Sequence, residues 1–345
     1  MIPIQNIYYM LSYAFQVLNE QGYKNIATEQ FNNTGELMAA ILEKGIAIQL
    51  KRGLGKEYIL QTEALSSLRG KIDIAESIKT QSMLRKQLIC TYDEFSVNSI
   101  MNRIIKSTVE LLLRSNISKR RKKNLRKLMV YFSEVDFIDL YTVNWNVQYN
   151  RNNQTYRMLI SICYLVVKGL LQTQSNGHTE LMDFLDEQRM CRLYEKFILE
   201  YYRKEFKNQF TANASQIPWQ LDNEENSMLP VMQSDIMLQS GEKVLIIDAK
   251  YYEHSTQVQF DKHTLHSGNL YQIFTYVKNK EYELREKNHT VSGMLLYAKT
   301  DEEIYPNNVY QMSGNQITVR TLDLNLPFDE IAGQLNTIAK THFDL

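Results

Sequence analysis

Two aspartates and a lysine in the C-terminal half have types and spacing suited to phosphodiester chemistry. They are Asp235 and then Asp248-Ala249-Lys250, the latter inside the apolar run VLIIDAKYY. Side chains alternate between the two faces of a strand, so Asp248 and Lys250 share one face. Ser240-Gly241 lies between the aspartates and reads as a hairpin turn. Folding about that turn brings Asp235 opposite Ile247 or Asp248, depending on register, where opposed Cβ atoms stand about 5 Å apart. Two carboxylates that close repel unless a cation neutralises them. Mg²⁺ suits the task, because it prefers oxygen ligands, keeps several waters, and is held by one or two carboxylates plus a substrate phosphate. Such a metal activates a water and stabilises charge on the scissile phosphate. A lysine adds a positive charge that orients the water or steadies the reacting oxygens. Asp235, Asp248 and Lys250 are therefore the candidate catalytic set. As bare text the pattern arises by chance about once in a chain of this size; its placement in an apolar hairpin gives it weight.

The elements that must position these residues are legible from periodicity. A long amphipathic helix is expected over Asp186 to Phe206, then strands over Val231 to Leu238 and Lys243 to Tyr252. A loop with His254, His263 and His266 leads to a helix over Asn269 to Asn279 and a strand over Val291 to Ala298. Upstream, Ile2 to Leu18 and Gly35 to Ile48 read as helices. From Lys51 to Ile78 the pattern shortens to strands with Gly at the turns: Arg52-Gly53-Leu54, Tyr58-Ile59-Leu60 and Leu68 to Asp73. Residues 96–132 and Tyr156 to Leu171 read as helical, and the polar stretch Gln172 to Thr179 as a domain boundary. The fold class expected is α+β multidomain. It comprises a mixed α/β domain over 1–95, a helical middle over 96–178, and over 179–345 an α/β domain whose central mixed sheet is flanked by helices.

Charge sharpens the picture. The 345 residues hold 39 basic and 39 acidic side chains, and net neutrality argues against a protein that captures nucleic acid unaided. The balance hides a split, with a net of +9 over residues 1–130 and −9 over 131–345. Its densest point is the run Lys119, Arg120, Arg121, Lys122 and Lys123. That run is either a phosphate- or partner-contacting patch or a solvated helix connection. The scattered cysteines Cys90, Cys163 and Cys191 form no C-x-x-C pair, which argues against disulfides and a structural zinc. The N-terminus has no Lys or Arg before Lys24, and the longest apolar stretch, Met158 to Leu171, is too short for a bilayer. A cytoplasmic protein with no membrane partner is expected.

The hairpin arrangement resembles the PD-(D/E)xK nuclease superfamily, with Ser234 where the usual Pro precedes the first Asp. Gln272 and Tyr276, one helical turn apart, resemble the Gln-xxx-Tyr feature of several branches; they are equally readable as a helix packing on the sheet. The superfamily often adds an acidic residue from the preceding helix, and Glu195 and Glu200 both qualify, with Glu200 preferred. A narrower resemblance covers nearly the whole chain. The start Ile2-Pro3-Ile4-Gln5-Asn6-Ile7-Tyr8-Tyr9-Met10-Leu11 resembles the McrC subunits of the McrBC modification-dependent restriction systems. So do Arg52-Gly53-Leu54, Leu68-Arg69-Gly70-Lys71-Ile72, Asn98 with Asn102-Arg103-Ile104-Ile105-Lys106, and Asp248-Ala249-Lys250-Tyr251-Tyr252.

This resemblance implies a C-terminal half that cleaves double-stranded methylated DNA. Its Mg²⁺ would sit on Asp235, Asp248, the Ala249 backbone carbonyl and Glu200. The resemblance also implies an N-terminal half that docks on a GTP-hydrolysing AAA+ ring, McrB, and stimulates it. In that family the partner recognises methylated cytosine, so the resemblance implies the same division here. The chain has no G-x-x-x-x-G-K-[S/T] loop, so no nucleotide is expected to bind it directly. The segment Lys51 to Ile78 is the expected partner-facing region, with Arg52 and Arg69 either projecting from it or serving buried turns. Two other readings stay open: a regulatory adaptor with a degenerate nuclease fold, and a stand-alone nuclease of the same superfamily.

Overall fold

The computed structural model describes residues 2–15, 18, 23, 26, 29, 31, 33–150, 153, 155–174, 187–223, 228–252, 257–259, 262–299 and 305–345. His254 and the part of the expected boundary from 175 to 179 lie outside the described residues. The chain forms two compact units, Met1–Gln30 with Phe184–Leu345, and Phe31–Asp183. This division differs from the three parts expected from the sequence. Residues 1–30 belong with the C-terminal part, while 31–95 and 96–178 share one unit.

The first unit is built on a mixed six-stranded sheet. The helices that matter here are α1 (Ile4–Ala14), with Thr34–Arg52 as α2, Ile74–Lys79 as α3, Ile100–Arg114 as α4, Lys119–Met129 as α5 and Tyr156–Gln174 as α6 in the other unit. The first unit continues with α7 (Glu187–Glu205), α8 (Ser267–Glu283) and α9 (Phe328–Phe343). In chain order the strands are β1 (Glu57–Leu65), β2 (Lys71–Asp73), β3 (Leu88–Ser96), β4 (Thr211–Asn213), β5 (Gln216–Ile217), β6 (Met232–Gln233), β7 (Ile236–Ser240), β8 (Lys243–Lys250), β9 (Gln257–Gln259), β10 (Lys262–Thr264), β11 (Thr290–Ala298), β12 (Asn308–Met312) and β13 (Asn315–Leu322). The six strands run in the order β12-β13-β11-β8-β7-β4. β8, β11 and β13 are parallel, and β7 turns back antiparallel to β8. Strands covered on both faces need continuous apolar sequence, which VLIIDA and VSGMLLYA supply.

The expected strand Val231 to Leu238 is interrupted. Met232–Gln233 pairs with β5, and the ladder with β8 begins only at Ile236. At the break, Ser234 N–H donates to the Ser215 carbonyl at 3.0 Å, and the Asp235 side chain rather than its backbone meets β8. α8 packs on β11 over Gly293. A Cβ there would stand 2.8 Å from both Ile317 Cδ1 and Val277 Cγ2 and 2.9 Å from Ile273 Cγ1. Gly293→Ala should therefore push helix and sheet apart and destabilise this unit by about 1–3 kcal/mol, the usual range for overpacking. Chemical denaturation followed by circular dichroism checks this; an unshifted midpoint would show that α8 slides freely.

α1 joins this unit through specific bonds. Asn6 Nδ2 donates to the Leu324 and Leu326 carbonyls, each at 2.8 Å, Tyr9 stacks on Phe328, and Tyr13 Oη donates to Glu205 at 2.9 Å.

In the second unit, helices α2, α4, α5 and α6 carry a three-stranded antiparallel sheet of order β1-β3-β2. The expected strand at Arg52-Gly53-Leu54 is instead the end of α2, closed by Gly53 at φ +90. The sheet is mounted on the helices by a buried network. Tyr156 Oη donates to Asn102 Oδ1 at 2.8 Å and accepts Gly55 N–H at 2.7 Å, while Asn102 Nδ2 donates to the Gly55 and Val97 carbonyls. Tyr58 and Leu60 on β1, Ile78 on α3 and Leu84 in the 3-10 turn Ser82–Arg85 are all more than half exposed, so this region presents apolar side chains to solvent.

Candidate active site

The β7–β8 register pairs Ile236 with Ile247, so continuing it one step sets Asp235 opposite Asp248. Of the two registers open from sequence, the structure takes the one that faces the carboxylates. Asp235 Oδ2 accepts the Ala249 N–H at 2.9 Å, which fixes that carboxylate at the strand end. Asp248 is 1% exposed, yet neither of its side-chain oxygens has a hydrogen-bond partner. Lys250 Nζ lies 2.8 Å from Asp248 Oδ2, close enough for an ion pair but without hydrogen-bond geometry. Lys250 also donates to Gln272 Oε1 at 3.3 Å, and Gln272 Nε2 donates to Tyr276 Oη at 2.9 Å. Gln272 and Tyr276 thus stand in a relay from α8 to the lysine. Asn269, one turn earlier on that helix, bridges Tyr297 and Tyr252 with bonds of 3.0 and 3.2 Å, bracing the end of β8. Its i, i+3 spacing to Gln272 is the sequence signal that could have found it.

The electrostatics fit a cation site. Burial raises Asp248, and the Asp235 charge adds to this against the pull of Lys250; the carboxyl is pushed up to about 7. Burial likewise raises Asp235, opposed by Lys250 and by the Ala249 N–H. Burial acts to lower Lys250, but the Asp248 and Asp235 carboxylates outweigh it and hold the ammonium above its ordinary range. Two carboxylates facing each other in a dry site cannot both ionise without added positive charge. One lysine on the pair leaves room for a divalent ion, and the Asp248 oxygens, which make no hydrogen bond of good geometry, are the atoms it would take. Among the described residues no group of three His, Cys, Asp or Glu side chains could hold a metal. An ion here would therefore complete its shell with waters, a carbonyl or substrate oxygens.

The helix glutamates separate clearly. Glu195 is raised first by burial and then by the Asp235 charge, and it accepts from Cys191 Sγ at 3.1 Å. Cys191 Sγ in turn lies 4.0 Å from the Ala249 carbonyl. Glu200 instead pairs with Arg203 at 2.7 Å, five residues on and on another face of α7. The helix thus brings Glu195, rather than the preferred Glu200, toward the pair. A cleft of ≈ 420 Å³ opens beside Asp235, bounded by Arg192, Glu195 and Lys196 of α7 and by Gln233-Ser234.

The basic residues singled out in the sequence fall elsewhere, in the second unit. Arg52 is exposed at the end of α2, and Arg69 stacks 4.2 Å over the Tyr92 ring. Lys119, Arg120 and Lys123 are exposed and Lys122 half-buried on α5. Arg121 is not a surface contact: it is 5% exposed and ion-paired to Glu36 and Glu43. Among the described residues no helix is long and apolar enough to cross a membrane.

Comparison with known proteins places the chain. It is 29% identical over 330 residues to the Type IV methyl-directed restriction enzyme EcoKMcrBC of Escherichia coli (strain K12), covering 94% of this chain and 93% of that protein. Among solved structures it is similar to a chain of the Thermococcus gammatolerans assembly of McrB AAA+ hexamers with bound McrC, at 19% identity and TM-score 0.48 over 97% of this chain and 76% of that one. It is also similar to a chain of the Thermococcus gammatolerans McrBC complex, at 23% identity and TM-score 0.42 over 59% of each. The family described as McrBC 5-methylcytosine restriction system component matches residues 5–298, so this protein belongs to that family.

Proposed function

We propose that this chain is the DNA-cleaving subunit of a 5-methylcytosine-dependent restriction system, a cytoplasmic Mg²⁺-dependent endonuclease with a PD-(D/E)xK-type C-terminal domain. It acts with, and stimulates, a partner AAA+ GTPase ring. The observation that carries the cleavage reading is Asp248, a carboxylate buried to 1% exposure beside a second carboxylate, Asp235, one step beyond the end of the β7–β8 ladder, with Lys250 as the one cation the two share. A protein keeps such a group only where something else satisfies it.

Asp235, Asp248 and the Ala249 carbonyl would hold the ion, with Glu195 at its margin. Bound there, Mg²⁺ supplies a lowered water pKa and charge neutralisation at the scissile phosphate. Lys250, oriented by Gln272 and through it by Tyr276, sets its ammonium beside the reacting oxygens. The Asp235 cleft admits the phosphodiester, and Arg192 and Lys196 line its wall with positive charge. The ring docks on the segment of β1, α3 and the turn after it, where Tyr58, Leu60, Ile78 and Leu84 leave large apolar side chains exposed, since exposed apolar surface marks interaction sites. The chain's lack of a nucleotide loop fits a division of labour in which the partner hydrolyses GTP.

Reconstitution tests this. The chain mixed with its ring partner, GTP, Mg²⁺ and methylated duplex should give double-strand breaks that EDTA abolishes. Stimulated GTP hydrolysis without breaks would make the chain an adaptor. Efficient cutting with neither partner nor GTP would make it a stand-alone nuclease.

A further inference from the structure

The basic helix α5 has a use that the cleavage site does not absorb. Its rotation is locked. Ser118 caps its first turn by accepting the Arg121 N–H, Leu125 is fully buried, and Arg121 reaches Glu36 at 3.3 Å and Glu43 at 2.8 Å. Asn124 adds a bond to Glu43 at 3.0 Å. With 100° per residue, those inward positions fix Lys119, Lys123, Arg126 and Lys127 on the opposite face, and all four are exposed. None of the four pairs with a described acidic residue, and the sequence holds no Asp or Glu between Glu110 and Glu134.

This arrangement works against the helix itself. Lys119 with Lys123, and Lys123 with Lys127, are like-charge i, i+4 neighbours, each destabilising by about 0.2–0.5 kcal/mol. Lys119 and Arg120 also stand in the first turn, where positive charge opposes the helix dipole. A local conflict kept in this way points to a ligand that relieves it. Along the axis the four cations span about 12 Å at 1.5 Å per residue. Along the duplex axis each strand advances about 3.4 Å per phosphate, so a helix lying along that axis spans the rise of three to four phosphates.

We propose that the outward face of α5, formed by Lys119, Lys123, Arg126 and Lys127, is a docking site for the phosphate backbone of duplex DNA, without regard to sequence or methylation. The site is separate from the cleavage reading and does not rest on it. It gives the chain its own grip on DNA, in a protein whose net charge is zero.

The test is binding of the full chain to a short unmethylated fluorescent duplex in EDTA, over a series of salt concentrations, so that cutting plays no part. The fourfold variant K119Q/K123Q/R126Q/K127Q, which keeps Arg121, should lose roughly tenfold or more in affinity at low salt. Its plot of log affinity against log salt should be shallower by about 3 to 4, near 0.9 for each phosphate no longer neutralised. The matching variant with arginine at the three lysines should keep the slope, and a thermal melt should match that of the unaltered chain. An unchanged slope in the glutamine variant overturns the proposal, as does an unaltered chain with no salt-dependent binding. So does an unchanged slope with lost GTPase stimulation, which would assign the face to the protein partner.

Discussion

Replacing Asp248 with Ala should abolish DNA cutting by the reconstituted complex and leave stimulation of the partner's GTPase at its unaltered level. The carboxylate is buried to 1% exposure, and the one cation beside it, Lys250, is shared with Asp235. A metal-held transition state gains several kcal/mol from its ligands, and each 1.36 kcal/mol is tenfold in rate, so a fall of about three orders of magnitude or more is expected. Lys250→Ala should lose about 10²–10³, the scale of removing one preorganised charge from a developing oxyanion. The stability readout separates this role from a structural one. Asp248 and Asp235 share the single Lys250 charge, and Lys250 keeps Asp235 as its counter-charge when Asp248 is removed, so Asp248→Ala should melt no lower than the unaltered protein in the absence of Mg²⁺. If cutting persisted in Asp248→Ala, or if GTPase stimulation fell in step with cutting, the assignment of this hairpin would fail.

The hairpin is the most legible part of the site because its geometry is local. A turn at Ser240-Gly241 and a period of two suffice to gather Asp235, Asp248 and Lys250, and only one residue of register had to come from the structure. The helix glutamates are less legible. Glu195 and Glu200 are both acidic residues on an amphipathic helix, and only the placement of α7 against the sheet tells which one meets Asp235. The strand expected at Arg52-Gly53-Leu54 fails because the same glycine that punctuates a hairpin also closes a helix at positive φ. The place of α1 is beyond sequence pattern altogether. Its partners Leu324, Leu326 and Phe328 lie more than 300 residues away. A run of identical charges hides its odd member in the same way. Nothing in Lys119 to Lys123 marks Arg121 as the one that turns inward, because Glu36 and Glu43 lie about 80 residues upstream.

That inward turn gives Arg121→Met a large effect on stability rather than on binding. The Arg121 side chain is 6% exposed, and the carboxylates it joins are 14% and 21% exposed. Removing one partner of a buried ion pair leaves the other charge uncompensated, which typically costs about 3–5 kcal/mol. Here two carboxylates are stranded, although Glu36 keeps bonds from the Ser118 N–H and hydroxyl and Glu43 keeps one from Asn124. Chemical denaturation of the full chain should show the unit of residues 31–183 losing stability on that scale. Adding Glu36→Gln and Glu43→Gln to Arg121→Met should recover much of the loss, because the stranded charges and not the missing methylene packing cause it. A loss under about 1 kcal/mol, or no recovery in the triple variant, would mean that the network is solvated and the helix held by Leu125 alone. The same reasoning bears on any test of the basic run. Neutralising all of Lys119 to Lys123 would loosen α5 from α2 and strip its outward charge together. A loss of DNA or partner binding in such a variant would then say nothing about the surface, and only variants that keep Arg121 isolate the outward face.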